Sequence, residues 1–415
     1  MDLLRFTTSL AVIAACTAGS TGSTLAGGGA TDIKTYTWTE VRPTAPFDPT
    51  IWAPRAGLQA LELRNELYVM GGRGPFSFET QTVLYGDVWK SADLGATWTR
   101  AASDAWPARG YFGAVTHRGR IFVIGGQNFS TKPNPIFPDG CASLPPGVPC
   151  PPFLPDSTFF DDVWSSQDGA TWIPETTDAP WEGRAGLSAL MHNGAIYILG
   201  GSQGDDESTG GSGRILFNDV WMSRDGRSWT EVTGDAPWAP RAGAAVVSKD
   251  GYIYLLGGER GFTCGFDPAS PCQPATATLY FNDVWRSRDG ASWEPVTPSA
   301  GWSPRPGHQC VVLLNQIVCF GGYGEVPGVP VIPANPTDMW TSRDGKTWTE
   351  LGPPAAPPWN GTNPGDMRYD FDALVVSGGG VRPSIVTFGG DRERFGLPSD
   401  VNAFLVENDV WRLSP

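Results

Sequence analysis

The chain has 415 residues, of which 53 are glycine and 38 are proline, and only 17% are charged. This composition is typical of a turn-rich β protein and argues against a helical one, while 12% aromatic residues supply apolar surface for a core. The formal net charge of −14 repels phosphate backbones, so we expect no nucleic-acid partner. Length alone allows either one large β domain or several smaller domains.

The first residues have the pattern of an export signal. Arg5 precedes the apolar run LAVIAA at 10–15, which is too short to cross a bilayer as a stable helix. We therefore place residues 1–30 outside the fold, as a signal peptide and flexible tether. The stretch IAAC at 13–16 is similar to a bacterial lipobox, which would make Cys16 a lipidated N-terminus, and the alternative is cleavage further along with release. An exported protein would be extracellular, periplasmic or anchored to a membrane through that lipid.

One motif recurs along the chain. The segment NDVWRSRDGASW at 282–293 has close relatives that begin at positions 86, 161, 218 and 337, and the chain ends on NDVWRLSP. Tryptophan gives the clearest count, because three classes of six positions account for all 18 tryptophans. The first class follows Asp-Val or Asp-Met, the second follows Thr or Ser, and the third lies in the linkers between units. The chain therefore contains six repeats.

Each repeat has the same internal order. A linker Trp and an Arg precede an apolar strand, a tight turn and a second apolar strand that ends in Gly-Gly; a variable loop, an Asp-Val-Trp strand, a short turn and a Thr-Trp strand follow. Four short antiparallel strands per repeat are typical of a propeller blade. The sixth repeat lacks its last strand, while TYTWTEVRP at 35–43 is such a strand with no repeat before it. We therefore predict an all-β, six-bladed β-propeller of four-stranded antiparallel blades, a single domain over residues 31–415 whose N-terminal strand closes the last blade.

These residues carry a family resemblance. The Gly-Gly after an apolar strand, the Asp-Val-Trp third strand and the Trp-bearing fourth strand resemble kelch repeats, as in the propeller domain of galactose oxidase and in the sialic acid mutarotases. The turn SADLGATW at 91–98 is also similar to the Asp-box of sialidases, which lies away from their catalytic face. Because Ser and Asp can bond the backbone of the turn and Gly supplies a positive φ, we expect these turns to be structural.

Apart from Cys16, the cysteines form three close pairs, which favours disulfides in an exported chain: Cys141 with Cys150, Cys264 with Cys272, and Cys310 with Cys319. Aligning CVVLLNQIVCFGG with VVSKDGYIYLLGG places Leu314 and Asn315 in a two-residue hairpin turn, so residues 310 and 319 face each other. They fall on a non-hydrogen-bonded pair, where the Cα atoms come close enough for a bridge. Two buried free thiols are the alternative for this pair.

The long loops and the linkers share one face of the predicted ring, because the other connections are short turns. The second repeat inserts residues 127–160 on this long-loop face and the fourth inserts 259–281, and long loops on a rigid scaffold commonly carry binding. The residues directly after each Gly-Gly differ between repeats and form a candidate polar ring for a ligand: Arg73, Gln127, Ser202, Glu259, Tyr323 and Asp391. Ordinary loop polarity is the alternative explanation.

Five arginines recur three residues after the linker Trp, near the expected channel mouth: Arg55, Arg109, Arg184, Arg241 and Arg305. They are candidates for holding a carboxylate or another anionic ligand by bidentate contacts. The alternative is a structural role, in bonds to linker carbonyls or in stacking on a neighbouring Trp, since a residue that repeats with the blade follows the blade. In the sixth repeat Asn363 takes the Arg position, with Arg368 and Asp372 nearby, and this asymmetry suggests the edge of a site.

Catalytic and metal-binding patterns are weak in this sequence. A copper-radical oxidase like galactose oxidase requires two histidines at its metal, but of His117, His192 and His308 the first two lie beside turns of the opposite face. The acidic loops at 204–211 and 391–396 could hold calcium, with solvated loops as the alternative, and we assign no cofactor.

The sequence thus favours a binding protein. We predict an exported, non-catalytic module that binds a glycan or protein ligand through the long-loop face. The alternative is an enzyme acting on sugars, mutarotase-like before sialidase-like. Epimerising a reducing sugar needs little beyond one acid/base, for which Glu259 and Asp391 are the candidates.

Overall fold

The computed structural model describes residues 32–75, 82–133, 153–203, 215–260, 280–324, 336, 338–357, 368–378, 380–392 and 406–415. The candidate signal peptide with Cys16 lies outside these ranges, as do the first two predicted cysteine pairs: Cys141, Cys150, Cys264 and Cys272. Residues 33–415 form one compact unit. No helix within the described ranges has the length and apolar character needed to cross a bilayer.

Strands dominate the described residues, after a single turn of 3-10 helix at Ile33–Thr35. In chain order they are β1 Thr37–Arg42, β2 Gln59–Leu63, β3 Glu66–Met70, β4 Val88–Ser91, β5 Thr99–Ala102, β6 Gly113–His117, β7 Arg120–Ile124, β8 Thr131–Pro133, β9 Phe153–Pro155, β10 Val163–Ser166, β11 Trp172–Thr176, β12 Ser188–His192, β13 Ala195–Leu199, β14 Ser202–Gln203, β15 Ile215–Leu216, β16 Val220–Ser223, β17 Trp229–Thr233, β18 Ala245–Lys249, β19 Tyr252–Glu259, β20 Tyr280–Ser287, β21 Trp293–Thr297, β22 Gln309–Leu313, β23 Gln316–Phe320, β24 Met339–Ser342, β25 Thr349–Glu350, β26 Asp372–Gly378, β27 Val381–Asp391 and β28 Val406–Ser414.

The strands form six antiparallel sheets of four strands, which are the blades. In sequence order, blade 1 is β2, β3, β4, β5; blade 2 is β6, β7, β10, β11; blade 3 is β12, β13, β16, β17; blade 4 is β18 to β21; and blade 5 is β22 to β25. The innermost strands β2, β6, β12, β18, β22 and β26 contact one another in a closed ring. The hairpins β8/β9 and β14/β15 belong to the long loops of blades 2 and 3.

Blade 6 is built from both ends of the chain. Its strand order is β1, β28, β27, β26, and β1 runs antiparallel to β28 with Trp38 opposite Leu413 and Glu40 opposite Trp411. The predicted all-β, six-bladed propeller with an N-terminal closing strand is therefore confirmed. Because β1 covers the edge of β28, no open seam is left between the first and last parts of the chain.

Apolar side chains fill the spaces between neighbouring blades. Between blades 6 and 1 the buried residues include Trp52, Val69, Phe388 and Val410. In five of these spaces the linker Trp and the fourth-strand Trp meet edge to face, as Trp52 and Trp98 do with ring centroids 6.2 Å apart. Edge-to-face pairs add a contribution of about 1 kcal/mol beyond the buried area, so the repeated tryptophans hold the blades together.

The turn between the two outer strands is held by its own side chains. In blade 4 the Ser287 hydroxyl accepts a hydrogen bond from the Gly290 N–H (2.8 Å), and the Asp289 carboxylate accepts one from the Ser292 N–H (2.9 Å). The backbone bond from Ser292 lowers the pKa of Asp289 below its ordinary value. Gly290 has φ +78°, and a Cβ there would lie 2.9 Å from the ring of Tyr197 in the neighbouring blade. These hydrogen bonds stabilise the turn, so the recurring motif has a structural role there.

The β22/β23 hairpin has the register expected from the sequence. Leu314 and Asn315 adopt positive φ values of 50° and 58°, as a tight two-residue turn requires. Cys310 lies opposite Cys319, their Cα atoms are 4.2 Å apart, and a disulfide joins them. The third predicted pair is confirmed.

Candidate functional site

Each of the five repeated arginines is buried and engaged within its own blade. In blade 3 the Arg184 guanidinium donates to both carboxylate oxygens of Asp219 (2.5 and 2.9 Å) and to the carbonyl of Gly200 (3.1 Å). The Nε atom of Arg184 donates to the carbonyl of Glu182 (2.9 Å). The same contacts recur at the other four positions, in the pairs Arg55 with Asp87, Arg109 with Asp162, Arg241 with Asp283, and Arg305 with Asp338.

The aspartates of these pairs also belong to the repeat. Each precedes the Asp-Val-Trp tryptophan by two residues and accepts its indole N–H, as Asp219 does from Trp221 (2.8 Å). Burial alone would raise the pKa of Asp87, but the charge and hydrogen bonds of Arg55 hold it below the ordinary value. The guanidiniums are at most 2% exposed. This geometry supports the structural alternative, and we leave the five arginines out of the ligand site proposed below.

The sixth blade also has a buried Arg–Asp pair of this kind. Arg368 donates to both carboxylate oxygens of Asp409 (2.8 and 2.7 Å), and its carbonyl accepts the N–H of Gly322. The carbonyl of Arg109 accepts the N–H of Gly72 in the same way. Arg368 is therefore the sixth member of the series, and the assignment of this position to Asn363, which lies outside the described residues, is wrong. The longer linker of this repeat shifts the Arg away from its usual spacing.

A ring of main-chain hydrogen bonds surrounds the axis, which we call the axial ring. Its members are the second residues after each repeated Arg: Gly57, Tyr111, Gly186, Gly243, Gly307 and Asp370. Each N–H donates to the carbonyl of the member in the preceding blade, with N···O distances from 2.8 to 3.1 Å, and the bond from Gly57 to Asp370 closes the circle. All six residues have positive φ, between 52° and 63°.

Tyr111 and Asp370 are the non-glycine members of the axial ring. A bulky L-residue at positive φ is strained by roughly 1–3 kcal/mol, and such strain is concentrated at functional sites. Neither residue was predicted from the sequence. The signal was present, since four repeats have Gly at this position and two do not. Both side chains remain partly exposed.

The two strained residues join an ion pair to form what we call the axial cluster: Arg73, Tyr111, Asp370 and Asp391. The Arg73 guanidinium pairs with the Asp391 carboxylate and donates from Nε to the Tyr111 hydroxyl (2.9 Å). Tyr111 in turn donates to Asp370 Oδ2 (3.0 Å). The cluster thus links the three consecutive blades 6, 1 and 2, and it contains two of the predicted ring residues, Arg73 and Asp391.

Burial and neighbouring charge shift the pKa values within this cluster. Desolvation raises the pKa of Asp370 to about 7; the nearby negative charges of Asp391 and Glu259 add to the rise, and Arg73 opposes it. Desolvation also raises the pKa of Tyr111 above its ordinary value, so its hydroxyl stays a hydrogen-bond donor. Asp370 can therefore exchange a proton near neutral pH, a property suited to acid/base chemistry or to a charge-sensitive binding site.

The other predicted ring residues are buried at the equivalent positions of their blades: Gln127, Ser202, Glu259 and Tyr323. Gln127 is 1% exposed, and within the described part of the chain its Nε2 atom has no hydrogen-bond partner. Tyr323 packs edge to face against Tyr280 and Tyr369, with ring centroids 6.0 and 5.4 Å apart. Glu259 is paired across the sheet with Tyr280. Blades 4, 5 and 6 therefore contribute a buried group of aromatic and acidic side chains at these positions.

A separate cavity lies at the rim, between the long loops of blades 1 and 2. Its volume is about 430 Å³, and its lining includes Leu84, Pro107, Asn128 and Ser130. No residue of the axial cluster lines it. We base the candidate site on the axial cluster, because the charged and strained groups are there.

The histidines lie apart from the cluster. His117 and His192 bond to the carbonyls of Arg224 and Arg288 (2.8 and 3.0 Å) in neighbouring blades. Burial, with the charge of Arg305, lowers the pKa of His308 to about 3, so this imidazole is neutral. Within the described ranges, no three His, Cys, Asp or Glu side chains are placed to hold a metal ion. The loop at 204–211, one of the two calcium candidates, lies outside those ranges.

Comparison with known proteins agrees with this architecture. The Kelch motif matches residues 108–135, which run from the linker Arg of blade 2 through its first hairpin. Among solved structures, the one described as "Structure of YjhT" superimposes on this chain with a TM-score of 0.58. The match covers 89% of this chain and 96% of that chain. The two sequences are 17% identical, so the likeness concerns the fold. The ring of six blades, with the Kelch motif match in blade 2, identifies the fold as a six-bladed β-propeller that contains a Kelch motif.

Proposed function

We propose that the protein binds a glycan at the axial cluster, on the long-loop face, without transforming it. The observation that carries this proposal is the network of Arg73, Tyr111, Asp370 and Asp391, in which Tyr111 and Asp370 are held at positive φ by the axial ring. Strain of this kind persists only where the surrounding structure enforces it, which favours a site preorganised for a ligand.

The chemistry of the mouth suits a sugar. Carboxylates, a phenol and a primary amide provide acceptors and donors for hydroxyl groups. Tyr111 and Asp370 are partly exposed while the residues around them are buried, so a ligand would reach them from the mouth.

The proposal is tested by ligand-observed NMR with a panel of monosaccharides and short glycans. We expect saturation transfer to at least one sugar, and loss of that signal in Tyr111→Phe, which cannot donate to Asp370. Tyr252→Phe is the matched control, because Tyr252 lies beside a first hairpin turn on the opposite face and stacks with Arg286 and Arg288. Equal binding by both variants would place the ligand elsewhere.

A sugar-acting enzyme of mutarotase type is the second candidate, and the pKa of Asp370 near 7 favours it. Ring opening at an anomeric carbon requires one group to deliver a proton and one to remove it. Asp370 is better placed for that role than Asp391, which is held in the ion pair with Arg73. Exchange NMR on the two anomers of a bound sugar separates the candidates: a binding protein leaves their interconversion rate unchanged, and an enzyme raises it in an Asp370-dependent manner.

Export is part of the proposal. The disulfide between Cys310 and Cys319 supports it, since disulfides persist in oxidising compartments. Mass spectrometry of the mature N-terminus, after expression in a host that exports the protein, would show either a lipidated Cys16 or cleavage further along. An uncleaved N-terminus on an intracellular protein would contradict export.

A further inference from the structure

We propose that the short-turn face of the propeller binds an anionic membrane surface, so that the long-loop face points away from the bilayer. The short-turn face is the side that carries the hairpin turn between the first two strands of each blade and the turn between the two outer strands. Three features support the proposal: the side on which the chain enters the ring, a set of exposed basic side chains and one exposed leucine. None of them belongs to the axial cluster, so the proposal is independent of glycan binding.

The chain enters the ring at the short-turn face. β1 begins at Thr37, which lies opposite Ser414 at the end of β28. The other blades have the turn between their outer strands at this end. Just before β1, the Tyr36 hydroxyl donates to the carbonyl of Pro383 (3.2 Å), beside the hairpin turn of blade 6. The segment that contains Cys16, the predicted lipid site, therefore joins the ring on this side, and an anchor there would draw the short-turn face towards a bilayer.

Exposed basic side chains lie on the turns of four consecutive blades, 5, 6, 1 and 2. They are Arg343 and Lys346 in blade 5, Arg382 in blade 6, Arg64 in blade 1 and Arg118 in blade 2. Within the described ranges, none of these five forms an ion pair. The carboxylate of Asp344 is instead bound to its own turn, where it accepts the N–H groups of Lys346 and Thr347 (2.8 Å each), and Asp93 and Asp168 are held in the same way. The carboxylates are thus directed to the backbone, whereas the basic groups are exposed to a partner.

The long-loop face has the opposite character. Exposed acidic residues lie in the linkers between blades, among them Asp104, Asp178, Glu182 and Asp235, and these four form no ion pair with another described residue. The formal net charge of −14 is therefore distributed unevenly between the two faces. A negatively charged surface attracts the basic turns and repels the acidic linkers, so it would orient the molecule with its short-turn face down.

Leu314 adds an apolar contact on the same face. It is the first residue of the two-residue turn in blade 5, a position that four other blades fill with Arg64, Arg118, Asn193 and Asp250. Leu314 is 38% exposed and has φ 50°. A leucine is uncommon at positive φ, and an exposed one at the tip of a turn can insert between lipid head groups while neighbouring arginines contact the phosphates. A soluble polyanion would have no use for this side chain, which favours a bilayer as the partner.

The experiment measures co-sedimentation with lipid vesicles. The full chain carrying Cys16→Ser, which cannot be lipidated, is mixed with vesicles of phosphatidylcholine alone or of an equimolar mixture with phosphatidylglycerol. At about 0.1 M salt we expect about tenfold tighter binding to the vesicles that contain phosphatidylglycerol, and loss of this preference at about 1 M salt, where the Debye length falls to about 3 Å. Equal binding to both kinds of vesicle would assign it to the apolar run at 10–15 and overturn the proposal, as would binding to neither.

Substitutions locate the surface. The double variant Arg343→Gln, Arg382→Gln should bind the anionic vesicles about 25-fold more weakly, since each basic residue near such a surface contributes about fivefold. Leu314→Asn should weaken binding by about threefold or more through lost apolar contact, and the turn tolerates it because Asn readily adopts positive φ. Arg260→Gln is the matched control, because Arg260 is an exposed arginine that follows β19 on the long-loop face. The control variant should bind like the parent chain.

Three results would overturn the proposal. The first is parental affinity in the double variant, and the second is an equal loss in Arg260→Gln, which would show that the position of the charge is irrelevant. The third is unchanged binding by Leu314→Asn together with displacement from the vesicles by dextran sulfate, which would show that the face recognises polyanions in general and not a bilayer. Thermal unfolding at the parental temperature verifies that each variant is folded.

Discussion

At the scale of single residues, the most consequential contact is the buried pair between the repeated Arg and the Asp of Asp-Val-Trp. It joins the linker of each blade to its third strand, and the same Asp orients the Trp that follows. An ion pair that recurs in every blade is a structural device, which is why its members carry no information about the ligand.

Removing one partner of this pair should be costly. We expect Arg184→Ala to lower the free energy of unfolding by about 3 kcal/mol, because Asp219 would keep its charge without a counterion. Chemical denaturation monitored by tryptophan fluorescence measures the change. Lys132→Ala is the control, since Lys132 and Asp156 form an exposed pair worth less than about 1 kcal/mol. Similar small losses in both variants would contradict the structural role of Arg184.

The sequence predicted these residues unevenly. The spacing of the repeated arginines is visible in the sequence, but their partners are not, because the Asp of Asp-Val-Trp lies far from the Arg along the chain. Tyr111 and Asp370 were missed for a different reason: their importance depends on a positive φ that becomes visible only when the axial ring is assembled. Repetition shows which residues build the blade, and the exceptions to it show where a site can be.

At the scale of elements, the innermost strands of neighbouring blades are joined by side chains. Asp372 at the start of β26 accepts the Ala60 N–H of β2 (2.5 Å), and Gln59 of β2 accepts the Ala114 N–H of β6 (3.2 Å). Gln309 of β22 donates to the Phe371 carbonyl (2.7 Å). These side-chain hydrogen bonds connect neighbouring blades, whose sheets are separate from one another.

The contact between blades 6 and 1 at Asp372 should make the stability of the fold depend on pH. Burial raises the pKa of Asp372 to about 7 from an ordinary value of 3.8. The protonated carboxyl thus stabilises the fold fully below the unfolded pKa, and this contribution is lost as pH rises to about 7. Relative to wild type, Asp372→Asn should gain up to about 4 kcal/mol of stability between pH 4 and pH 7 and nothing more above it. Denaturant unfolding over this range measures the difference, and a constant difference would contradict the shift.

The β22/β23 hairpin gives a second prediction for an element. Cys310 and Cys319 are separated by 9 positions, and in the loop-closure account a bridge of this size contributes about 2.6 kcal/mol. The double variant Cys310→Ala, Cys319→Ala should lose about that amount in chemical denaturation. A reductant should lower the stability of the wild type to that of the variant and leave the variant unchanged. Insensitivity of the wild type to reductant would argue against a bridge that contributes to stability.

Hairpin register was predictable because a two-residue turn fixes every pair outward from it, as at Leu314 and Asn315. Linker length was not predictable, and the sixth repeat shows why. Its Arg368 lies nine residues after Trp359, where the other repeats have three, so the three-residue spacing could not locate it. Only the contact with Asp409 identifies the equivalent residue.

At the scale of the whole molecule, closure by β1 should determine whether the ring is stable. We expect a variant that begins at residue 44, and so lacks β1, to expose the edge of β28 and to aggregate or unfold at a lower temperature. A variant that begins at residue 32 is the control and should unfold like the full chain. Light scattering and differential scanning calorimetry compare the two. Equal behaviour would show that the ring does not need its closing strand.

The architecture was predictable because every blade repeats the same sequence cues, and because TYTWTEVRP at 35–43 has no other strand to complete. The ligand was not predictable in this way. The axial cluster combines residues from blades 1, 2 and 6 that are far apart in sequence, such as Arg73 and Asp391. No local pattern brings them together before the ring has closed.

The axial ring has a consequence for how this fold could change its specificity. Every N–H in the circle is already given to a neighbouring carbonyl, so the main chain has no donor left there to offer a visiting molecule. Discrimination between ligands must therefore come from the side chains at ring positions that are not glycine. Substitution of Gly186 or Gly243 would add another such side chain. New preferences could then arise by exchanging single residues on an unchanged frame, with backbone strain as the cost that limits how many can accumulate.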